Sequence, residues 1–420
     1  MNRLAQFLRY AQKVFDLKGL LPRVREGRCA PKIPLLAVNL CLLLGVVTRV
    51  ASYLDLAQQT QRRRWRRLCH LQAPLSDDTL EYVTERLKPE DWRLNQAQVV
   101  KTLKSNKALE SCKINGLLFL SVDGLEHCKS RSRCCQRCCQ RQVEETSEDG
   151  QKREVTEYYH RYVLAQMNGP KINVLLEAEP ILPGEEECAA ALRLLGRIRR
   201  LYGPRFFDGL SFDAWYAKGP FLRAIKKLGW FWIVVLKRQD MNVYQEAQQL
   251  SQGEKPAAFQ DEPRQRQVQL WEVKDLDFSR EYGKPVRVVR SEERWVEKRV
   301  RGGRKERRPR CSLWVWAADE ELNGYPAQVV YQGGPRRWGI ENKAFNELTQ
   351  GYHLDHCYHH DPTSMLVQML ILIFGFTLFT AFALHSQLVR LGEMTLKALA
   401  HELDLALEED LPWEQWFHSG

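Results

Sequence analysis

Two apolar runs that each stop on an aspartate constrain this chain more than any other feature. One is Gly116-Leu-Leu-Phe-Leu-Ser-Val-Asp123; the other is Phe206-Phe-Asp-Gly-Leu-Ser-Phe-Asp213. Short apolar runs bounded by turn residues read as buried strands, so each run puts a carboxylate at a strand end. The stretches around them alternate in type. A strand at 117–123 is followed by a polar excursion. Strands at about 159–167 and 171–178 are split by Asn168-Gly169-Pro170, which suits a hairpin turn. A helix near 185–201 carries Leu192, Leu195 and Ile198 at helical spacing. A strand at 206–213, a helix at 217–228 and a strand at 230–236 follow. A third carboxylate, Glu341, lies in Arg336-Arg-Trp-Gly-Ile-Glu-Asn-Lys-Ala-Phe345. That segment reads as a helix over 334–350, with Arg337 and Glu341 four apart on one face.

The order β-β-β-α-β-α-β is that of an RNase H-like core. In that architecture the first and fourth strands lie side by side, so the ends bearing Asp123 and Asp213 are expected to be neighbours. The expected fold is α/β: an RNase H-like mixed sheet with flanking helices, a β-rich insertion subdomain and a helical N-terminal region. The expected divisions are 1–110, helical, for DNA-end binding or subunit contact; 111–236, the first part of the core; and 237–330, the β-rich insertion. The second part of the core, with the Glu341 helix, spans 331–400, and a tail spans 401–420. Alternating runs at 268–274, 285–290, 311–317 and 327–331 predict the strands of the insertion.

Charge narrows the partners. The chain has 63 Lys and Arg against 52 Asp and Glu, a net charge of +11. Such a surface favours polyanions, nucleic acid first and a membrane surface second. The positive charge is clustered in Arg62-Arg63-Arg64-Trp65-Arg66-Arg67. A second block holds Arg294, Lys298, Arg299, Arg301, Arg304, Lys305, Arg307, Arg308 and Arg310. Blocks of this density neutralise phosphates, or else form a solvated face. Residues 365–384 are uncharged and long enough to cross a bilayer. The alternative is a helix buried on all sides, with Gln368, Thr377 and Thr380 inside. The first residues lack the apolar stretch of a signal peptide. The twelve cysteines then suit a reducing cytoplasm better than a disulfide framework.

At these residues the chain resembles a DDE-type insertion-sequence transposase, in the group with a β-strand insertion before the last acidic residue. The likeness spans roughly 75–400. It is strongest in Ser121-Val-Asp123-Gly, Phe212-Asp213-Ala-Trp-Tyr and Arg337-Trp-Gly-Ile-Glu341-Asn-Lys-Ala-Phe345. The resemblance implies that Asp123, Asp213 and Glu341 bind Mg2+ (or Mn2+) and carry out catalysis. Asp208, Glu126 and Glu177 do not match the motif. The family signature Tyr-x2-Arg-x3-Glu-x6-Lys keeps Arg337 and Glu341, but Gly334 stands at the Tyr position and Leu348 at the Lys position. Lys343 or Tyr331 is a candidate substitute in holding DNA phosphates. By the same resemblance 365–384 becomes a buried core helix. Arg299, Arg301, Arg304, Lys305, Arg307 and Arg308 are candidate DNA contacts. Trp215 and Tyr216 either stack on an unpaired base or pack in the core.

The implied activity is transposition: binding terminal inverted repeats, cleaving the ends and joining 3′-hydroxyls to target DNA. A homodimer on the nucleoid in the cytoplasm, without a membrane partner, is the expected working form. A hairpin intermediate is a further implication of the family. The same core also serves structure-selective nucleases and domesticated DNA-binding relatives.

A cysteine cluster sits between the first two core strands. Cys135-x2-Cys138 has the spacing of half a zinc site. Cys128, Cys135, Cys138 and His160 form one possible Zn2+ set, with Cys134 and Cys139 as rivals. Histidines 353, 356, 359 and 360 read as polar residues in the turn before helix 363–385, with a second metal site as the alternative.

Overall fold

The structure, a computed structural model, describes residues 2–146, 151–301, 304–337, 339 and 345–407. Side chains at 298–301, 304, 305 and 388 lie outside that description. The strands are β1 (Lys113–Ile114), β2 (Leu117–Ser130), β3 (Cys139–Thr146), β4 (Lys152–Asn168), β5 (Asn173–Ile181) and β6 (Gly209–Phe212). Then come β7 (Phe231–Val235), β8 (Ala257–Asp261), β9 (Arg266–Asp277), β10 (Pro285–Arg301) and β11 (Arg304–Asp319). The chain forms two compact units. One comprises Met1–Cys112, Gly124–Gly203 and Ile340–Gly420; the other comprises Lys113–Asp123 and Pro204–Gly339. Within the second unit β2 lies beside β6, so the first and fourth core strands are neighbours, as expected for an RNase H-like core. Strands and helices alternate as an α/β fold requires.

The second unit is built on parallel pairing. β2 lies beside β6 with Phe119 level with Gly209 and Ser121 level with Ser211. β6 lies beside β7 with Gly209 level with Phe231. Every residue of β7 is buried, as befits a strand covered on both faces. Asp208 sets the register. Its carboxylate accepts the Leu118 N–H at 2.7 Å, and its own N–H bonds the Leu118 carbonyl at 3.0 Å. β7 continues antiparallel into β11, then β10, β9 and β8. One face of this sheet is closed by Phe119, Ile233, Trp316, Val329, Val330 and Tyr331.

Residues Ala327–Gly333 form a helix, which corrects the strand expected at 327–331. Val-Val-Tyr has strand preference, but Pro326 sets the entry and the apolar residues are buried as a helical face. Tertiary packing decides the outcome there. Of the helix expected over 334–350, Gly334–Arg337 is a 3-10 turn and Asn346–Tyr352 is helical, while 338 and 340–344 lie outside the described residues. Two elements were hidden in polar sequence: the helix Asn242–Leu250 and strand β3.

The first unit packs N-terminal helices, β3 to β5 and the C-terminal helices together. β4 pairs with β3 along its first half and with β5 along its second. The uncharged segment is the 24-residue helix Pro362–His385, and 94% of its most apolar window is buried inside the protein. Its polar residues have partners in the core. Thr377 Oγ1 accepts from Gln96 Nε2 at 2.9 Å, and Gln368 Oε1 accepts from Tyr53 at 3.3 Å. Gly375 lets the helix Leu35–Val47 come close, since a Cβ there would lie 2.7 Å from Val46.

Candidate active site and metal cluster

Parallel register places the two aspartates. Two residues beyond the Ser121–Ser211 pair come Asp123, still on β2, and Asp213, one residue past the end of β6. Adjacent strands lie about 4.8 Å apart, so the two carboxylates share one edge of the sheet. Two like charges this close need countercharge. Arg337 supplies one: its Nη1 donates to Asp123 Oδ2 at 2.6 Å, with both side chains largely buried. Lys237 supplies the other, with Nζ 3.1 Å from Asp213 Oδ1. Asp213 also accepts the Ala214 N–H at 2.7 Å, capping the 3-10 turn Ala214–Tyr216. Partial burial would raise the Asp213 carboxyl. The Ala214 amide, Arg337 and Lys237 outweigh that and hold it below the usual carboxylate range.

Arg337 reaches Asp123 because the chain before it lies flat on the sheet. A Cβ on Gly334 would overlap the Trp316 indole, and one on Gly333 would meet Ile233 at 2.5 Å. Ser211 Oγ donates to the Gly334 carbonyl at 3.1 Å, fixing the turn beside β6. Trp316 therefore fills the space that the family tyrosine would need at position 334. Leu348, at the family lysine position, is fully buried and apolar in role.

The remaining predicted residues divide sharply. Glu341 and Lys343 lie outside the described residues, as do the side chains of Arg299, Arg301, Arg304 and Lys305. Arg307 and Arg308 are exposed on β11, where Arg308 pairs with Glu306 at 2.9 Å. Trp215 is 61% exposed with Lys218 Nζ 5.0 Å from its ring centre. Tyr216 is fully buried against Phe212 and Phe221, which corrects its assignment as a DNA contact. Tyr331 is also ruled out as a phosphate holder: it is buried, and its hydroxyl donates to Asp261 at 2.9 Å and accepts from Arg264 at 3.0 Å. Glu177 is a buried partner of Arg93 at 2.8 Å, and Glu126 pairs with Arg141 at 2.9 Å.

In the first unit, Cys135, Cys138, His160 and His360 bring four ligand atoms within 4.8 Å of one another. His360 takes the place expected of Cys128. Cys128 is buried instead beside Cys357 and the His356 carbonyl. Its backbone is in the left-handed region, φ 51°. Burial pushes the Cys138 thiol up to about 11 and the His160 imidazole down to about 4.

Residues 184–378 match the family model described as a transposase DDE domain. That segment, a little under half of the chain, is similar to a transposase DDE domain. The matched segment includes Asp213, Arg337 and the position of Glu341, and leaves Asp123 to the strand before it. No curated protein matches the chain. A solved structure titled "Cryo-EM structure of piggyBac transposase synaptic complex with hairpin DNA (SNHP)" aligns with 95% of this chain and 79% of that one. The alignment has 13% identity and a TM-score of 0.43. At that level the likeness decides nothing.

Sequence reasoning missed Lys237, which stands two residues past β7, and His360. Lys237 had a usable signal, because a cation just beyond a central strand falls on the same sheet edge as the aspartates. His360 had none, since only the fold brings it to Cys138.

Proposed function

We propose that this chain is a DDE transposase, which binds the terminal inverted repeats of an insertion sequence, cuts them and joins them to target DNA at Asp123, Asp213 and Glu341. The observation that carries the reading is the pair Asp123 and Asp213, held between Arg337 and Lys237. The donor set fits a hard divalent cation. Both groups are carboxylates, and their neighbours are two cations that a metal would supplement or replace. Mg2+ or Mn2+, when bound, would activate the attacking oxygen and stabilise the leaving one. The chain's own residues do the rest. Arg337 orients Asp123 through its 2.6 Å hydrogen bond. Lys237, exposed at the rim, is placed to meet a DNA phosphate. Trp215 offers a flat face for an unstacked base beside the cut. The exposed arginines of β11 extend the phosphate track. Two ends must be cut in concert, so the working form is a homodimer, acting on the nucleoid in the cytoplasm.

The test uses purified protein, labelled element ends and Mg2+. Asp123→Asn, Asp213→Asn and Glu341→Gln should each retain end binding and lose cleavage and strand transfer. Wild-type cleavage by any one of them removes that residue from the site. Denaturing gels of the products also report whether the cut end closes as a hairpin.

A further inference from the structure

The four ligand atoms of the first unit are spaced as a metal would space them. Cys138 Sγ lies 3.8 Å from Cys135 Sγ, 3.3 Å from His160 Nε2 and 3.2 Å from His360 Nε2; Cys135 Sγ lies 3.5 Å from His160 Nε2. A tetrahedron around zinc, with bonds of ~2.3 Å to sulfur and ~2.05 Å to nitrogen, has edges of ~3.8 Å between sulfurs and ~3.6 Å from sulfur to nitrogen. The observed edges match within a few tenths of an ångström.

A disulfide does not account for this spacing: it needs sulfurs about 2.05 Å apart, and these are 3.8 Å apart. Hydrogen bonding would ask one sulfur, a weak donor and a weak acceptor, to hold three side-chain atoms at once. A single metal ion gives all of these approaches one cause. The backbone is shaped for the same purpose. The Cys135 N–H points at Cys138 Sγ at 3.2 Å, and the Cys138 N–H bonds the Cys135 carbonyl at 3.1 Å. This tight turn presents both sulfurs to one side and supplies a donor to a thiolate.

We propose that Cys135, Cys138, His160 and His360 form a structural Zn2+ site, closed by four protein ligands, that fastens the Cys135–Cys138 turn and β4 to the start of the helix Pro362–His385. His360 immediately precedes Asp361, whose carboxylate caps that helix by accepting the Thr363 and Ser364 N–H groups at 2.9 and 2.8 Å. The ion thus ties three separate stretches of chain at the mouth of the first unit's core. Four side-chain ligands leave no open position for substrate, so the role is structural and not catalytic. The proposal does not rest on the carboxylate reading, and zinc content and DNA cleavage report on the two separately.

The experiment is metal analysis of untagged full-length protein, with Co2+ replacement as a second readout. The expected result is one zinc per chain and, in the cobalt form, the visible absorption of a tetrahedral site with two thiolates. His360→Ala and Cys138→Ser should lose the stoichiometric metal, whereas Cys128→Ser should keep it. Wild-type protein with only trace zinc and no tetrahedral cobalt spectrum would overturn the site. Loss of metal in Cys128→Ser with retention in His360→Ala would overturn this ligand set. The cobalt spectrum is read on wild-type protein, so it stands even if a variant fails to fold.

Discussion

Arg337→Leu isolates the electrostatic logic of the site. Leucine keeps part of the apolar stem and removes the guanidinium that bonds Asp123 at 2.6 Å. The Arg337 side chain is only 4% exposed and that of Asp123 only 12%, so solvent does little to replace the lost charge. Breaking a buried pair by removing one partner costs about 3–5 kcal/mol, because the other charge stays buried. That is roughly a hundred- to several-thousand-fold change in the folding equilibrium. Arg337 also helps hold the Asp213 carboxyl down, so that group rises toward its ordinary value in the variant. The assay is urea unfolding of wild type and variant, each with and without Mg2+. A cation binding only the folded state stabilises it by RT ln(1 + [L]/Kd). Mg2+ should recover more stability in the variant than in wild type, since it supplies charge where Arg337 no longer does. A loss under about 1 kcal/mol, within the range of an exposed pair, would refute the buried-pair reasoning. Equal Mg2+ effects on both proteins would refute the idea that ion and arginine serve the same carboxylates.

Further outcomes are expected at four positions. Trp215→Ala should leave stability within about 0.5 kcal/mol, as for an exposed site, and weaken single-strand DNA binding by roughly 1–3 kcal/mol in a fluorescence titration. Tyr216→Ala should instead cost about 3–5 kcal/mol of stability in urea unfolding, because it empties a buried aromatic site. Gly334→Ala should force its turn off Trp316, costing ~1–3 kcal/mol and most of the cleavage activity, and Trp316→Phe in the same chain should restore part of both. His127 governs an acid transition. Burial pulls its imidazole down to about 4, so the unfolded chain takes up a proton first as pH falls below about 6.5. Its contribution is fully present above that pH and is lost on descent toward 4, about 3 kcal/mol in all, measurable as unfolding free energy against pH.

The parts of the site that could be read from sequence are those set by local pattern. Asp123 and Asp213 end apolar runs, and strand periodicity alone places them on an edge. Their shared edge also followed, once the first and fourth strands were taken as neighbours. Other features depended on contacts that no local window contains. Val329, Val330 and Tyr331 have strand chemistry but fold as a helix because the sheet beneath them offers an apolar face. Gly334 departs from the family tyrosine because Trp316, from β11, occupies the space a side chain there would need. Cys128 satisfied cysteine spacing, but its position on β2 turns it toward Cys357, while His360 arrives from more than two hundred residues away. Tyr216 and Trp215 are adjacent in sequence and opposite in fate, because only one side of a 3-10 turn faces solvent.

The helix Pro362–His385 imposes an order on biosynthesis. Its main packing partners, Leu35–Val47, Pro89–Ser105 and β5, are all made before it. Between the end of β5 at Ile181 and the arrival of His385, translation at about 5–20 residues per second takes on the order of ten to forty seconds. During that interval Val46, Trp92 and their neighbours lack the cover that Gly375 and Phe374 later give them. The nascent first unit is therefore a groove waiting for a helix made later, and a ribosome-bound chain is most exposed to chaperones and to aggregation in that window. A message truncated before codon 362 would yield an unclosed core and a substrate for proteolysis, not a smaller folded protein.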